Sequence, residues 1–350
     1  MRLFSCSLCG NTVYFDNRTC LSCQARLGFR PSRMDMIGIE AGSQEEREVQ
    51  FCANAVHDAC NWVVDDGDAS GLCRACRHNL VIPDLANPRH LDNWRRIEDA
   101  KRVLFYSLLR FALPLAIKTE AGGDEGEGLG FQFLADDDTP HNSAPVLTGH
   151  DKGCITLNIV EAEDDEREAR RVALGEPFRT LVGHFRHEIA HYYWDVLVRI
   201  RDGLDGFRTI FGDEREDYAA ALKRHYQQGP PQDWESRFIS AYASSHPWED
   251  FAECFAHYIH IVDALETAFV FGLRLNPGKG KADLALHENF DPYRAEALAP
   301  LIDAWIPLTV AVNSINRSMG QPDFYPFVLS QPVIEKLDYI HGLIHMSSRA

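Results

Sequence analysis

Residues 187–191 read His-Glu-Ile-Ala-His. Two histidines four residues apart stack on one face of a helix, so both imidazoles can reach one ion. The intervening Glu188 projects about 100° further round, beside such an ion rather than on it. From there its carboxylate can take a proton from zinc-bound water and later pass it to a leaving amine. Zinc lowers the pKa of that water to about 7, which yields a nucleophile at neutral pH. The chemistry implied is amide hydrolysis by a zinc metallopeptidase.

Three ligands are needed for such an ion, and His187 and His191 supply two. The segment PWEDFAECFAHYIHIVDALETAF offers the third, because Glu249 and Glu253 lie one turn apart on one helix face. Pro247 suits the first helical position, and Phe251, Phe255, Tyr258 and Val262 make an apolar side. Either glutamate could ligate. His257 and His260 lie near the same face, and His184 sits one turn before His187; each reads as a supporting group.

A second kind of chemistry occupies the front of the chain. Cys6, Cys9, Cys20 and Cys23 form two CxxC knuckles around a short hairpin, the pattern of a zinc ribbon with four thiolates around one ion. Cys52, Cys60, Cys73 and Cys76 form a second set in which only the last two make a CxxC, and His57 or His78 could replace one of them. Both sets predict structural zinc, against one catalytic zinc further on. Cys154 and Cys254 are isolated and read as small core residues.

The elements that must position these groups follow from patterning. Residues 1–82 predict a cysteine-rich module, a ribbon at 1–35 plus a second four-cysteine site at 50–80, too short to hold a core without metal. Residues 93–350 predict a second domain. It opens on an amphipathic helix from Asn93 that Pro114 ends, and the acidic, Gly-rich stretch 119–128 reads as an exposed loop. Strands are predicted at 131–135, 145–149 and 154–160, the last alternating with Ile155, Leu157 and Ile159 on one face. Pro177 can start a helix running to about Ile200, with Leu181, Phe185, Ile189, Tyr192, Val196 and Ile200 as an apolar stripe opposite the histidines. Further helices are predicted at 214–226, 234–244, 248–274, 295–319 and 332–346. The fold class is α+β, predominantly helical.

Charge narrows the function classes. The 350 residues carry a formal net charge of −17, and residues 1–80 hold 8 Arg and no Lys against 10 Asp plus Glu, a balance of −2. That is no footprint for a phosphate backbone, so nucleic acid is an unfavoured partner. No stretch reads as a leader or a membrane span, and CxxC pairs of this kind suit a reducing compartment, so the cytoplasm is expected.

The layout resembles the zinc-binding metallopeptidase family with an N-terminal zinc-ribbon domain. The matching pieces are CSLCG, CLSC, the CRAC pair followed by NLVIPDL, Trp94 with EDAKRVLFYSLL, EPFRTLVGHFRHEIAHYYW and PWEDFAECFAHYIHI. They span most of the chain to about residue 265. The spacing around Glu249 also resembles the gluzincin clan. That resemblance implies a zincin-like domain, Glu249 as the third ligand, and Glu253 as the acceptor from the non-ligating nitrogen of His187. Toxin-type gluzincins carry a catalytic tyrosine seven residues before the glutamate ligand, which here is Tyr242; His246 is the weaker alternative. The expected substrate is a protein or peptide, its backbone pairing with Cys154–Val160 as an edge strand. The rival readings are a silent zinc-stabilised adaptor and a nucleic-acid-associated protease targeted by its ribbons.

Overall fold

A computed structural model describes residues 2–65, 67–118, 128–136, 146, 148–168, 180–201, 203–278, 281–287 and 289–347. The expected start of a helix at Pro177 and most of the acidic loop at 119–128 lie outside these residues. About half of the chain is helical. Among the described residues, no helix is long and apolar enough to cross a membrane.

The front of the chain is built from two small antiparallel pairs, β1 (Phe4–Ser5) with β2 (Thr12–Val13) and β3 (Arg26–Arg30) with β4 (Asp35–Ile39). A short helix, α1 (Gln44–Glu48), comes next. The fifth strand, β5 (Asn79–Val81), leaves this region and joins a four-stranded sheet of order β5-β6-β8-β7, with β6 at Gly130–Leu134, β7 at Gly149–Asp151 and β8 at Cys154–Asn158. β5, β6 and β8 run parallel, and β7 is antiparallel.

The structure corrects one expectation about this sheet. Cys154–Asn158 is not an edge strand, because β6 and β7 flank it on both sides. The edge belongs to β7, and residues 159–162 wind into a 3-10 turn. The reversal between β7 and β8 needs Gly153, which has φ +79° and whose Cβ would stand 2.2 Å from the carbonyl oxygen of Gly128.

Helix α2 (Pro88–Arg110) starts earlier than Asn93 because the side chain of Asn87 caps Arg89 N–H and Pro88 occupies the first turn. It is the spine between front and rear. Phe15, Phe29 and Trp62 pack from the front, and Phe15 meets Tyr106 of α2 at a ring distance of 5.5 Å. Buried residues from both regions share one large hydrophobic cluster, and Ile37, Ile39 and Val63 form a second, small one.

The motif helix is α3 (Leu181–Trp194), capped by Thr180. Residues 195–199 then form a π turn, which rotates the next residues relative to the α-helix. Phe185, Ile189 and Tyr192 are therefore buried as expected, while Ile200 leaves the stripe and is exposed. Next come α4 (Leu204–Phe211), α5 (Tyr218–Gln228), α6 (Pro247–Val270), α7 (Ala299–Ser318) and α8 (Gln331–Ser347). The helix expected at 214–226 starts late: Gly212 at φ +104° ends α4, and α5 begins only where the Asp217 side chain caps it. The helix expected at 234–244 is absent: only Trp234–Ser236 and Tyr242–Ser244 make 3-10 turns. Serine side chains there bind local backbone instead, Ser240 accepting from Ala243 N–H and Ser244 donating to the Ala241 carbonyl.

Candidate metal centre

α3 and α6 cross in contact and bring their polar faces together. Each is pinned by its apolar side: Phe185 and Ile189 on α3, Phe251, Phe255, Tyr258 and Val262 on α6, all fully buried. What remains between them is His187, His191 and Glu249, whose ligand atoms all lie within 4.8 Å of one another. Nε2 of His187 stands 3.0 Å from Oε2 of Glu249, and Nε2 of His191 stands 3.7 Å from its Oε1. Two imidazoles and one carboxylate are a donor set that suits zinc with room for a further ligand.

Each donor is held from behind. Nδ1 of His187 donates to Oε1 of Glu253 at 2.8 Å, and the other oxygen of Glu253 accepts from the Ser240 hydroxyl at 2.6 Å. Tyr218 donates to Oε1 of Glu249 at 2.7 Å. The Trp248 ring lies 4.2 Å from that of His191. Burial works against charge on His187, yet its bonds to Glu249 and Glu253 hold its pKa well above the usual range. Burial likewise raises the Glu249 carboxyl, but the His191 and His187 rings overcome this and bring it down to about 2. The Glu249 carboxylate is thus held as an anion facing both imidazoles.

Glu188 sits outside this triad. Its Oε1 is 3.2 Å from Nε2 of His184, and Nδ1 of His184 is 2.6 Å from the buried Glu161. Thr148 in turn donates to Glu161 at 2.6 Å. Burial opposes charge on His184, but Glu161 and Glu188 outweigh it and push its pKa up to about 9. For Glu188, burial pushes the carboxyl up, and the contact with His184 returns it below the usual carboxylate range. A buried acid is thus kept ionised by a partly buried cation. A cavity of about 460 Å³ opens beside His184, His187 and Glu188.

Tyr242 lines that cavity, its ring 5.9 Å from the ring of His187. His246 is turned away: it caps α6 by accepting from Trp248 N–H, and its Nε2 donates to the Glu216 carbonyl at 3.1 Å. His257 and His260 line the cavity rather than joining the triad. β7 passes over the opposite flank, where the His150 ring lies 6.1 Å from that of His191.

Sequence reasoning missed Glu161, Tyr218, Ser240 and Trp248. Glu161 lies just beyond the strand at 154–158, and Tyr218 opens α5; nothing in local spacing ties either to residues 187–191. Trp248 had a weak signal, as the neighbour of Glu249 in a helix's first turn.

The front of the chain brings together Cys6, Cys9, Cys20 and Cys23, and separately Cys52, Cys60, Cys73 and Cys76. Sulfur pairs stand at 3.7 Å for Cys6–Cys23, 3.6 Å for Cys9–Cys20 and 3.7 Å for Cys60–Cys73. A tetrahedron with Zn–S bonds of about 2.3 Å has edges of roughly 3.8 Å, whereas a disulfide needs about 2.05 Å. The spacing fits four thiolates around one ion. Neither candidate histidine joins the second set: Nδ1 of His78 meets the Leu129 carbonyl at 2.9 Å, and the His57 ring lies 6.1 Å from Trp94.

Comparison with known proteins agrees with both regions. A family model described as "Putative zinc-binding metallo-peptidase" matches residues 90–343, and one described as "zinc-ribbon domain" matches residues 3–87. Uncharacterized proteins of Mycobacterium bovis and Mycobacterium tuberculosis strain H37Rv are each 41% identical over 345 residues, covering 98% of this chain and 95% of theirs. No solved structure matches.

Proposed function

We propose that this chain, which belongs to the zinc-binding metallo-peptidase family, hydrolyses peptide bonds at a zinc ion held by His187, His191 and Glu249. The observation that carries this reading is the convergence of those three donors within 4.8 Å, with Glu188 beside them and not among them. Zinc bound there supplies Lewis acidity to the substrate carbonyl and brings a ligated water to a pKa of about 7.

The protein's own groups do the rest. Glu188 accepts the proton of the attacking water and later delivers it to the leaving amine. His184, itself held by Glu161, keeps that carboxylate ionised and aimed. Glu253 fixes the tautomer of His187, so that Nε2 presents its lone pair inward. Tyr218 orients the distal oxygen of Glu249, and Tyr242 is the hydroxyl available to an oxyanion above His187. The outer edge of β7 can pair with an extended substrate backbone.

The finer reading is a zincin-like domain of gluzincin type over residues 93–350, preceded by a zinc-binding module over 1–82. Each cysteine quartet holds one structural zinc, which makes three ions per chain. Zinc-bound thiolates in place of disulfides suit the cytoplasm. The substrate is a protein or peptide; the weakly acidic front region does not suit nucleic acid.

Glu188→Gln is the decisive variant. It should keep all three zinc ions and lose roughly 10²–10⁴-fold in peptide turnover. Zinc content and cleavage rate are read on the same sample. Parent-level cleavage by that variant would sink the mechanism. A parent chain that binds zinc and peptides but cuts none would favour the adaptor reading.

A further inference from the structure

The cavity beside the cluster has a lining that would discriminate among substrates. Its volume, about 460 Å³, lies in the range of ligand pockets. Its lining includes Tyr226, Trp234, Phe238, Phe327 and Val328, so much of it is aromatic and aliphatic. Neither Lys nor Arg is among its lining residues.

Most of the polar groups in the lining are paired or uncharged. His184 is bracketed by Glu161 and Glu188, and Glu253 by His187 and Ser240. Nδ1 of His257, another lining residue, contacts the Tyr325 hydroxyl at 2.9 Å, and burial holds its pKa down to about 4, which leaves the ring neutral. Glu235 is an exposed acid among the lining residues. An Asp or Glu side chain entering here would lose water, find no free cation and face existing carboxylates. A large apolar side chain would instead exchange water for aromatic contact.

We propose that this cavity receives the substrate side chain flanking the scissile bond and selects large apolar residues, aromatic or branched aliphatic, over acidic ones. The proposal rests on the peptidase reading, because His187 and Glu188 line the same cavity. The segment carrying Phe327 and Val328 is the specificity determinant. Phe327 is braced by His257 at a ring distance of 4.4 Å, and Val328 is exposed.

The test is cleavage-site profiling of the zinc-loaded full chain on a peptide library. Expected is one position beside the cut at which Phe, Leu, Tyr or Met outnumbers Asp and Glu by roughly tenfold or more. Val328→Arg, a change at an exposed site, should erode that ratio several-fold. Cuts without side-chain preference, or with acidic residues favoured, would overturn the pocket and leave the peptidase reading standing. If nothing is cut, the peptidase reading fails, and the pocket is judged by binding. Glu188→Gln chain is then titrated with the N-acetyl amides of phenylalanine and of aspartic acid. Tighter binding of the phenylalanine amide by roughly tenfold supports the pocket, and equal or weaker binding overturns it.

Discussion

The chain gathers potential metal donors in two contrasting ways. At the front, four like sulfurs close around a point, and in the second quartet all four cysteines are buried. Between α3 and α6, two imidazoles and a carboxylate meet beside a cavity, and each is braced by a further polar side chain or an aromatic ring. A closed set of soft donors leaves nothing for a substrate to approach. An open set with mixed donors does, but it needs outside support to stay in place. The difference teaches where stability and where reactivity are held in this molecule.

Three variants sharpen or break that contrast. The largest effect is expected at the second quartet. Cys73→Ser should lose one zinc per chain and destabilise the front region heavily, since structural zinc contributes on the order of 10 kcal/mol to folding. Zinc analysis and limited proteolysis read this out; unchanged zinc content and unchanged protease resistance would remove the structural role. A smaller effect is expected at His184. Its pKa stands at about 9 in the fold, against about 6.5 when unfolded. The fold binds that proton more tightly, so the stability involved is whole below about pH 6.5 and is lost as pH rises through about 9. His184→Asn should therefore cost roughly 3 kcal/mol near pH 6 and far less above pH 9. Denaturation curves at the two pH values decide it, and a pH-independent cost would show that the ring matters only for packing. The smallest effect is expected at Glu253→Gln, which should weaken zinc at the mixed site by about 10–100-fold and leave the thiol sites untouched. Competition with a graded chelator measures this. Equal loss at all sites would mean that the variant disturbs the fold and not one ligand.

How much of this was legible depended on how local each feature is. His187, Glu188 and His191 share two turns of one helix, so their mutual placement follows from helical geometry alone. The two quartets contain CxxC knuckles, which fix half of each cluster within four residues. α6 was legible through Pro247 and the buried run Phe251, Phe255, Tyr258 and Val262. Glu161 was not, because it reaches His184 only after β8 and α3 have packed across the sheet. The helix drawn across 234–244 failed for a local reason, since serine side chains there outcompete the helical hydrogen bonds. The edge strand was misassigned because alternation reports burial of a face and says nothing about which neighbours a strand has.

One feature links the two regions. β5 begins three residues after Cys76 and ends as the far strand of the sheet whose near strand, β7, overlooks His191. Three strand spacings of about 4.8 Å separate them, roughly 14 Å in all. Hydrogen-bonded strands hold their spacing and transmit a displacement instead of absorbing it. The sheet is thus a ruler laid between a cysteine cluster and the cleft of the candidate metal centre, and its zero mark is set by sulfur.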